Sequence, residues 1–270
     1  MPSAAPRFED VTETTGIPVT AEGARMMYTR YALAADLAKG RRVLELACGG
    51  GNGLGLVGAN ARYLVGGDYS RPLLRMARAH YGSRFPLAQL SAEALPFRDG
   101  VFDVVLFFEA SYYVPVMEQA FDEVTRVLAP SGKVLFVNAN PERPDFIVSP
   151  HSVHYHTADE FRAALEQRRF AVEMSGAFPV DAARSNPTSR AIGAILGAAR
   201  IVLQRLGMVP KTLRGRARLK RLVYWKLEVL PPELPPGFAP VEHRVPLGRG
   251  PVRGFKVIYI VGRRSQGRLR

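Results

Sequence analysis

Over the first 180 residues, short β-prone apolar runs alternate with segments of helical periodicity, and this alternation constrains the fold more than any other feature. Strands that recur between helices are joined by crossovers, and crossovers lay helices on the faces of a parallel sheet. Arg42–Ala47, Tyr63–Asp68, Phe85–Leu90, Val101–Phe108, Lys133–Val137 and Phe170–Ser175 read as strands. Val101–Phe108 is apolar apart from Asp103, as expected of a central strand buried on both faces. Helices are expected over Ala21–Lys39, Arg71–Tyr81, Met117–Leu128 and Thr157–Arg168. In Arg71–Tyr81 the residues Leu73, Leu74, Met76, Ala77 and Tyr81 keep mainly helical spacing, with Ser70 at the N-cap and Pro72 in the first turn. Pro130-Ser-Gly132 closes the helix before the fifth strand.

After residue 180 the pattern breaks. Two further helices are expected, about Ser189–Leu206 and Arg214–Trp225, followed by the proline-rich stretch 231–236. Alternation returns at Val252–Val261, a seventh strand that needs the first sheet to pair with. The expected organisation is therefore a core of residues 1–180 and 251–263 with an insertion, 181–250, before the last strand. Residues 1–180 hold 18 Lys+Arg against 20 Asp+Glu, whereas residues 181–270 hold 19 against 4, so the net charge of +13 comes from the last third. Such asymmetry points to an anionic partner (nucleic acid, a membrane surface or a phosphorylated substrate) or to a solvated face. An apolar fraction of 47% excludes a disordered chain, and 25 glycines without a period exclude a collagen-like one. Cys48, the one cysteine, cannot form an internal disulfide or a cysteine-based metal site by itself, which favours a reducing, cytoplasmic setting. Met1–Asp10 has no signal-peptide pattern, and the most apolar stretch, Ala191–Leu203, is interrupted by Arg200 and shorter than the roughly 20 residues a membrane span needs.

The strongest chemical signal is Val43-Leu-Glu-Leu-Ala-Cys-Gly-Gly-Gly-Asn-Gly53, a strand entering a glycine-rich turn and then a helix. Glycine lets the backbone approach a ligand, and the following helix start offers amide donors. Asp68 ends the next strand, 23 residues after Glu45, where a carboxylate can accept hydrogen bonds from ribose hydroxyls. Together these features point to a nucleoside-containing cofactor. Gly53, Gly55 and Gly58 spell a dinucleotide fingerprint, but it begins six residues beyond Ala47 and leaves almost no crossover helix before Tyr63, so that reading is rejected.

Five ordered blocks then resemble the class I S-adenosylmethionine-dependent methyltransferases of small-molecule type. Leu44-Glu-Leu-Ala-Cys-Gly-Gly-Gly-Asn-Gly53 is similar to the first motif, with Ala47 where many members have glycine, and Gly67-Asp-Tyr-Ser70 to the second. Ser91-Ala-Glu-Ala-Leu-Pro-Phe97, Phe102-Asp-Val-Val-Leu-Phe-Phe-Glu-Ala110 and Glu123-Val-Thr-Arg-Val-Leu-Ala-Pro-Ser-Gly132 resemble the later blocks. The resemblance implies an α/β, Rossmann-like, doubly wound, seven-stranded and mostly parallel sheet, with an N-terminal helix and a large helical insertion. It implies S-adenosyl-L-methionine as cofactor, its methionine part at the turn of Glu45, Ala47, Cys48, Gly49, Gly51 and Asn52, its ribose at Asp68, and its adenine at Ser91, Ala92 and Glu93 with Tyr69 on the ring. Tyr28 and Glu109 complete the expected cofactor set. Ser91 stands where the family usually offers a carboxylate.

Methyl transfer needs an aligned acceptor and shielding from water, and a base only where the acceptor loses a proton. Glu109, Tyr112 and Tyr113 follow the fourth strand, at the end where ligands of parallel sheets sit, and are the first acceptor-side candidates. His151, His154 and His156 cluster after the fifth strand, and His154 is taken as a candidate general base. No metal site is expected, since neither helical histidine spacing nor a second thiolate is present. The insertion interleaves cations such as Arg214, Arg218 and Lys220 with apolar residues, which suits a substrate lid, a peripheral membrane contact through residues 189–226, or a phosphate-binding surface. The leading expectation is methylation of O, N or C of a small metabolite, possessing phosphate or a lipid link in one version. The alternatives are an RNA methyltransferase using the basic insertion and a non-catalytic cofactor-binding regulator.

Overall fold

The computed structural model describes residues 8–180 and 227–265. The two helices expected between 189 and 225, and the surface expected of them, lie outside the described residues. In chain order the elements are β1 (Pro18–Val19), α1 (Ala21–Ala38), β2 (Arg42–Leu46), α2 (Leu54–Gly58), β3 (Tyr63–Asp68), α3 (Arg71–Tyr81), β4 (Leu87–Gln89) and β5 (Phe102–Phe108). They continue with α4 (Met117–Val127), β6 (Leu128–Ala139), α5 (Ala158–Gln167), β7 (Phe170–Pro179), β8 (Glu228–Val229), β9 (Val245–Pro246) and β10 (Phe255–Arg264).

Among the described residues the main sheet has eight strands, in the order β4-β3-β2-β5-β6-β10-β7-β9. β4 through β6 pair in parallel, β10 runs antiparallel between β6 and β7, and β9 is a two-residue antiparallel edge on β7. The seven expected strands are all present, and β9 adds an eighth. Alternation along β5 sorts the core into two layers. Val104, Leu106 and Phe108 pack with Tyr28, Tyr31 and Ala34 of α1, while Val105 and Phe107 pack with Phe121 of α4 and Phe161 of α5. Apolar side chains on both faces are what an internal parallel strand requires.

Three of the boundaries that depart from expectation are decided by contacts with residues distant in the chain. β10 begins at Phe255 rather than Val252 because the Asn140 amide donates to the carbonyls of Val252 (2.6 Å) and Phe255 (2.8 Å), holding the approach to the strand as a turn. β7 continues past Ser175 to Pro179 because β10 pairs with it throughout, up to Phe255↔Pro179. β6 begins at Leu128, directly after α4. The ladder slips between Phe102↔Leu128 and Val104↔Lys133, so Pro130–Gly132 turns within the strand rather than before it. Thr157 and Glu160 close a reciprocal capping box on α5.

Part of the expected insertion returns to the core. β8 pairs with β1, Leu230, Leu234 and Ala239 are buried in the layer containing α1, and the Gly237 amide donates to Tyr28 Oη. No helix among the described residues is long and apolar enough to cross a membrane.

Candidate active site

β2 and β5 lie side by side, but the chain leaves them in opposite directions, from β2 towards β3 and β4 and from β5 towards β6. The loops beyond their C-terminal ends diverge and leave a crevice. A cavity of about 580 Å³ fills it, a size suited to a small organic ligand.

Both strands end in strained residues at this crevice. Ala47 after β2 has φ 55° and Glu109 after β5 has φ 49°, left-handed values that non-glycine residues seldom adopt. At Ala47, relief of strain in the folded chain outweighs the extra freedom glycine brings to the unfolded one. Ala47→Gly is therefore expected to raise the free energy of unfolding by roughly 0.5 kcal/mol in urea titrations. A clear loss of stability would show instead that the methyl group packs.

The turn between β2 and α2 is clamped from three sides. The Gly49 amide donates to Asp68 Oδ2 at 2.8 Å, and the Ser70 amide to Asp68 Oδ1 at 2.7 Å. Tyr81 Oη donates to the Gly51 carbonyl at 2.8 Å and accepts from the Gly55 amide at 3.1 Å. Asn52 donates to the Pro231 carbonyl and accepts from the Leu234 amide through its own carbonyl, which ties the proline-rich stretch to the turn. At Gly53 an added Cβ would stand 1.9 Å from the Tyr31 ring, so glycine is required there by space rather than by backbone angle.

Behind the turn, Glu45 is 1% exposed and accepts from Tyr31 Oη at 2.7 Å, while its Oε2 has no hydrogen-bond partner among the described residues. Burial pushes its carboxyl from 4.5 up to about 7, with Asp68 adding repulsion while the Tyr31 bond and Arg30 pull the other way. A folded-state pKa above the unfolded one means that Glu45 contributes most stability below about pH 4.5 and loses it as pH rises through about 7. Wild-type unfolding temperature should fall between pH 5 and pH 8, with this residue contributing on the order of 3 kcal/mol. Glu45→Gln should flatten that slope in thermal scans, and an unchanged slope would assign it to other groups.

Beyond the end of β5, Tyr112 Oη donates to Glu109 Oε2 at 3.2 Å, and the Ala139 amide donates to the same oxygen at 3.2 Å. Burial raises the Glu109 carboxyl above its usual range, opposed by the charge of Arg30. Tyr113 shares a 2.6 Å hydrogen bond with Ser149 Oγ, and burial pushes its phenol up to about 12. Phe8 packs edge-on against Tyr69, Tyr113 and His151, so one ring touches both the Asp68 side and the Glu109 side of the cavity.

Ala47, Cys48, Gly49, Asn52, Asp68, Tyr69, Ser91, Ala92, Glu93, Glu109, Tyr112 and Tyr113 all line the cavity. Glu45 and Gly51 lie behind this wall, and Tyr28 is turned towards Gly237 and Phe238. His154 is an exposed loop residue 3.5 Å from Glu160, whereas His151 lines the cavity in its stead. Ser91 Oγ bonds the amide and carboxylate of Glu93, so the carboxylate missing at position 91 stands two residues later. The Cys48 thiol is buried and raised far above its usual range by burial. No group of three or more potential metal ligands occurs among the described residues.

Sequence reasoning missed Glu13, Arg30, Arg143 and Lys256, which also line the cavity. Arg30 was legible in principle, since Glu22, Met26 and Arg30 recur at intervals of four on a helix expected to pack on the sheet. Arg143 comes from a loop and Lys256 from β10, which only the fold brings together.

Residues 44–136 match the family model described as a methyltransferase domain. The chain is 38% identical over 119 residues to phthiotriol/phenolphthiotriol dimycocerosates methyltransferase 1 of Mycobacterium ulcerans, covering 43% of each chain. It is 34% identical over 118 residues to a fatty-acid O-methyltransferase of Mycolicibacterium smegmatis, again covering 43% of each. The matched segment thus spans less than half the length of these curated relatives. Among solved structures, the 4+2 cyclase SpnF superposes with a TM-score of 0.56 at 17% identity, covering 95% of this chain and 89% of that one. At that identity the likeness concerns the fold, and a fold shared with a cyclase does not specify a reaction.

Proposed function

We propose, from the methyltransferase domain that residues 44–136 constitute, that this chain transfers a methyl group from S-adenosylmethionine to a hydroxyl oxygen of a small, lipid-like acceptor. The observation that carries this reading is one cavity with Asp68 and the glycine turn on one side and a raised, strained carboxyl, Glu109, on the other.

The donor set suits the cofactor. Asp68 is fixed by two backbone amides and keeps lone pairs for ribose hydroxyls, the Ala47–Gly49 backbone borders the cavity, and Glu93 offers a carboxylate where an adenine amino group can donate. Bound there, S-adenosylmethionine supplies a methyl group on a cationic sulfur. Glu109 takes the proton that an acceptor hydroxyl loses, and its raised pKa makes it a better proton acceptor than an ordinary carboxylate once ionised. Tyr112 holds Glu109 in place, while Phe8 and Tyr113 keep water from the reacting groups.

The acceptor side is largely apolar, with Phe8, Met26, Met27, Phe108, Val153 and Val257 in the wall. That lining fits a lipid-like body, and the two relatives above carry lipid-like substrates in their names. Titration with S-adenosylhomocysteine and transfer of labelled methyl groups to a panel of hydroxylated lipids test the reading together. Micromolar binding with label in the lipid fraction is expected. Binding without transfer to any hydroxyl acceptor would remove O-methylation, and no binding at all would remove the cofactor.

A further inference from the structure

Two arginines in the cavity wall bury an Nε–H group that has no hydrogen-bond acceptor among the described residues. Arg30 of α1 is 8% exposed, and its Nη2 donates to Glu13 at 3.1 Å, leaving Nε unmet. Arg143, on the loop after β6, has the Asp145 carboxylate 3.6 Å from its Nε, beyond hydrogen-bond reach. Arg25 and Arg162 also bury an unmet Nε, but neither lines the cavity. The unmet donor alone is therefore no signal, whereas its occurrence twice in one ligand-sized wall is.

Both arginines line the same cavity. Lys256, a third lining cation, reaches Glu22, which shares a helical face with Met26 and Arg30. The Lys256 carbonyl is in turn held by the amide of Asn140, three residues before Arg143. The walls around these cations include Met26, Ala139 and Val257. Burying a guanidinium donor without an acceptor is unfavourable, so an acceptor that arrives with the ligand accounts for both. The planar guanidinium fork matches carboxylate and phosphate oxygens.

We propose that the methyl acceptor carries an oxyanion, a carboxylate or a phosphate, in addition to the hydroxyl that receives the methyl group, and that Arg30 and Arg143 hold it. This rests on the reading of the cavity as the site of an amphiphilic acceptor, and it makes the substrate class an anionic hydroxylated lipid.

The test measures binding, so it does not depend on methyl transfer. Protein saturated with S-adenosylhomocysteine is titrated with decanoate, decyl phosphate and decanol. At least one anion is expected to bind about tenfold tighter than decanol, and the preferred one identifies the oxyanion. Arg30→Met and Arg143→Met should each bring the anion towards the alcohol, with S-adenosylhomocysteine affinity unchanged as evidence of folding. If Arg30→Met does not fold, Arg143→Met decides. Equal binding of all three ligands, or binding of none, overturns the proposal. So does an Arg30→Met protein that loses S-adenosylhomocysteine but keeps 5′-methylthioadenosine, because Arg30 would then serve the cofactor's carboxylate. Anion preference without methyl transfer would leave the assignment standing and remove only the O-methylation reading.

Discussion

Glu109→Gln is expected to lower kcat for methyl transfer by about 100- to 10,000-fold, the usual contribution of a positioned proton acceptor. Glutamine has the same shape, and its carbonyl oxygen can still accept from Tyr112 Oη and the Ala139 amide, so the wall of the cavity should hold. It cannot take a proton. The loss corresponds to about 3–5 kcal/mol of barrier, too large for a packing change at a half-buried residue to imitate. The pH profile gives a second readout. Burial raises the carboxyl above its ordinary 4.5, and the working form is the ionised one, so wild-type kcat should climb as pH passes through that raised value. The residual rate of the variant should not. A variant with unchanged kcat would show that the acceptor is already ionised or that another group takes its proton.

Asp68→Ala is expected to raise the Kd for S-adenosylhomocysteine about 100-fold and to lower the unfolding temperature as well. Hydrogen bonds to a charged acceptor contribute roughly 1.5–3 kcal/mol, and a ribose presents two hydroxyls to this carboxylate. The second effect follows from the carboxylate's other task. It accepts from the amides of Gly49 and Ser70, and its removal leaves two buried donors unmet and the glycine turn loose. Asp68→Asn separates the two effects, because one remaining oxygen can hold one amide while the charge is gone. Calorimetry and thermal melts on the three proteins would show affinity falling further than stability in the asparagine variant. Affinity within a few-fold of wild type in both variants would place the nucleoside elsewhere.

The fold was legible wherever a periodicity had a single solution. β3 and α3 fall on the expected residues because an apolar strand ending in Asp68 is followed by a helix with proline in its first turn and one apolar face. Boundaries were missed where a distant residue decides them, as Asn140 does for β10 and the register slip opposite Phe102 does for β6. The same division holds in the cavity. The glycine turn, Asp68 and Glu109 announce themselves by position at strand ends, since a ligand at the edge of a parallel sheet must meet those positions. His154 belongs to a cluster of three histidines whose loop path no local pattern determines, and in the fold it is His151 that borders the cavity.

What the sequence determined by itself was the alternation that makes a parallel sheet, the glycine turn and strand-end carboxylates that border the cavity, and an excess of positive charge after residue 180. Each depends on neighbours a few residues apart. What only the tertiary structure decided was the gathering of Arg30 from the first long helix, Glu109 from a strand end, Arg143 from a loop and Lys256 from the last strand around one cavity. Burial of those charges and the unmet donors among them depend on contacts across more than a hundred residues, which local spacing does not encode.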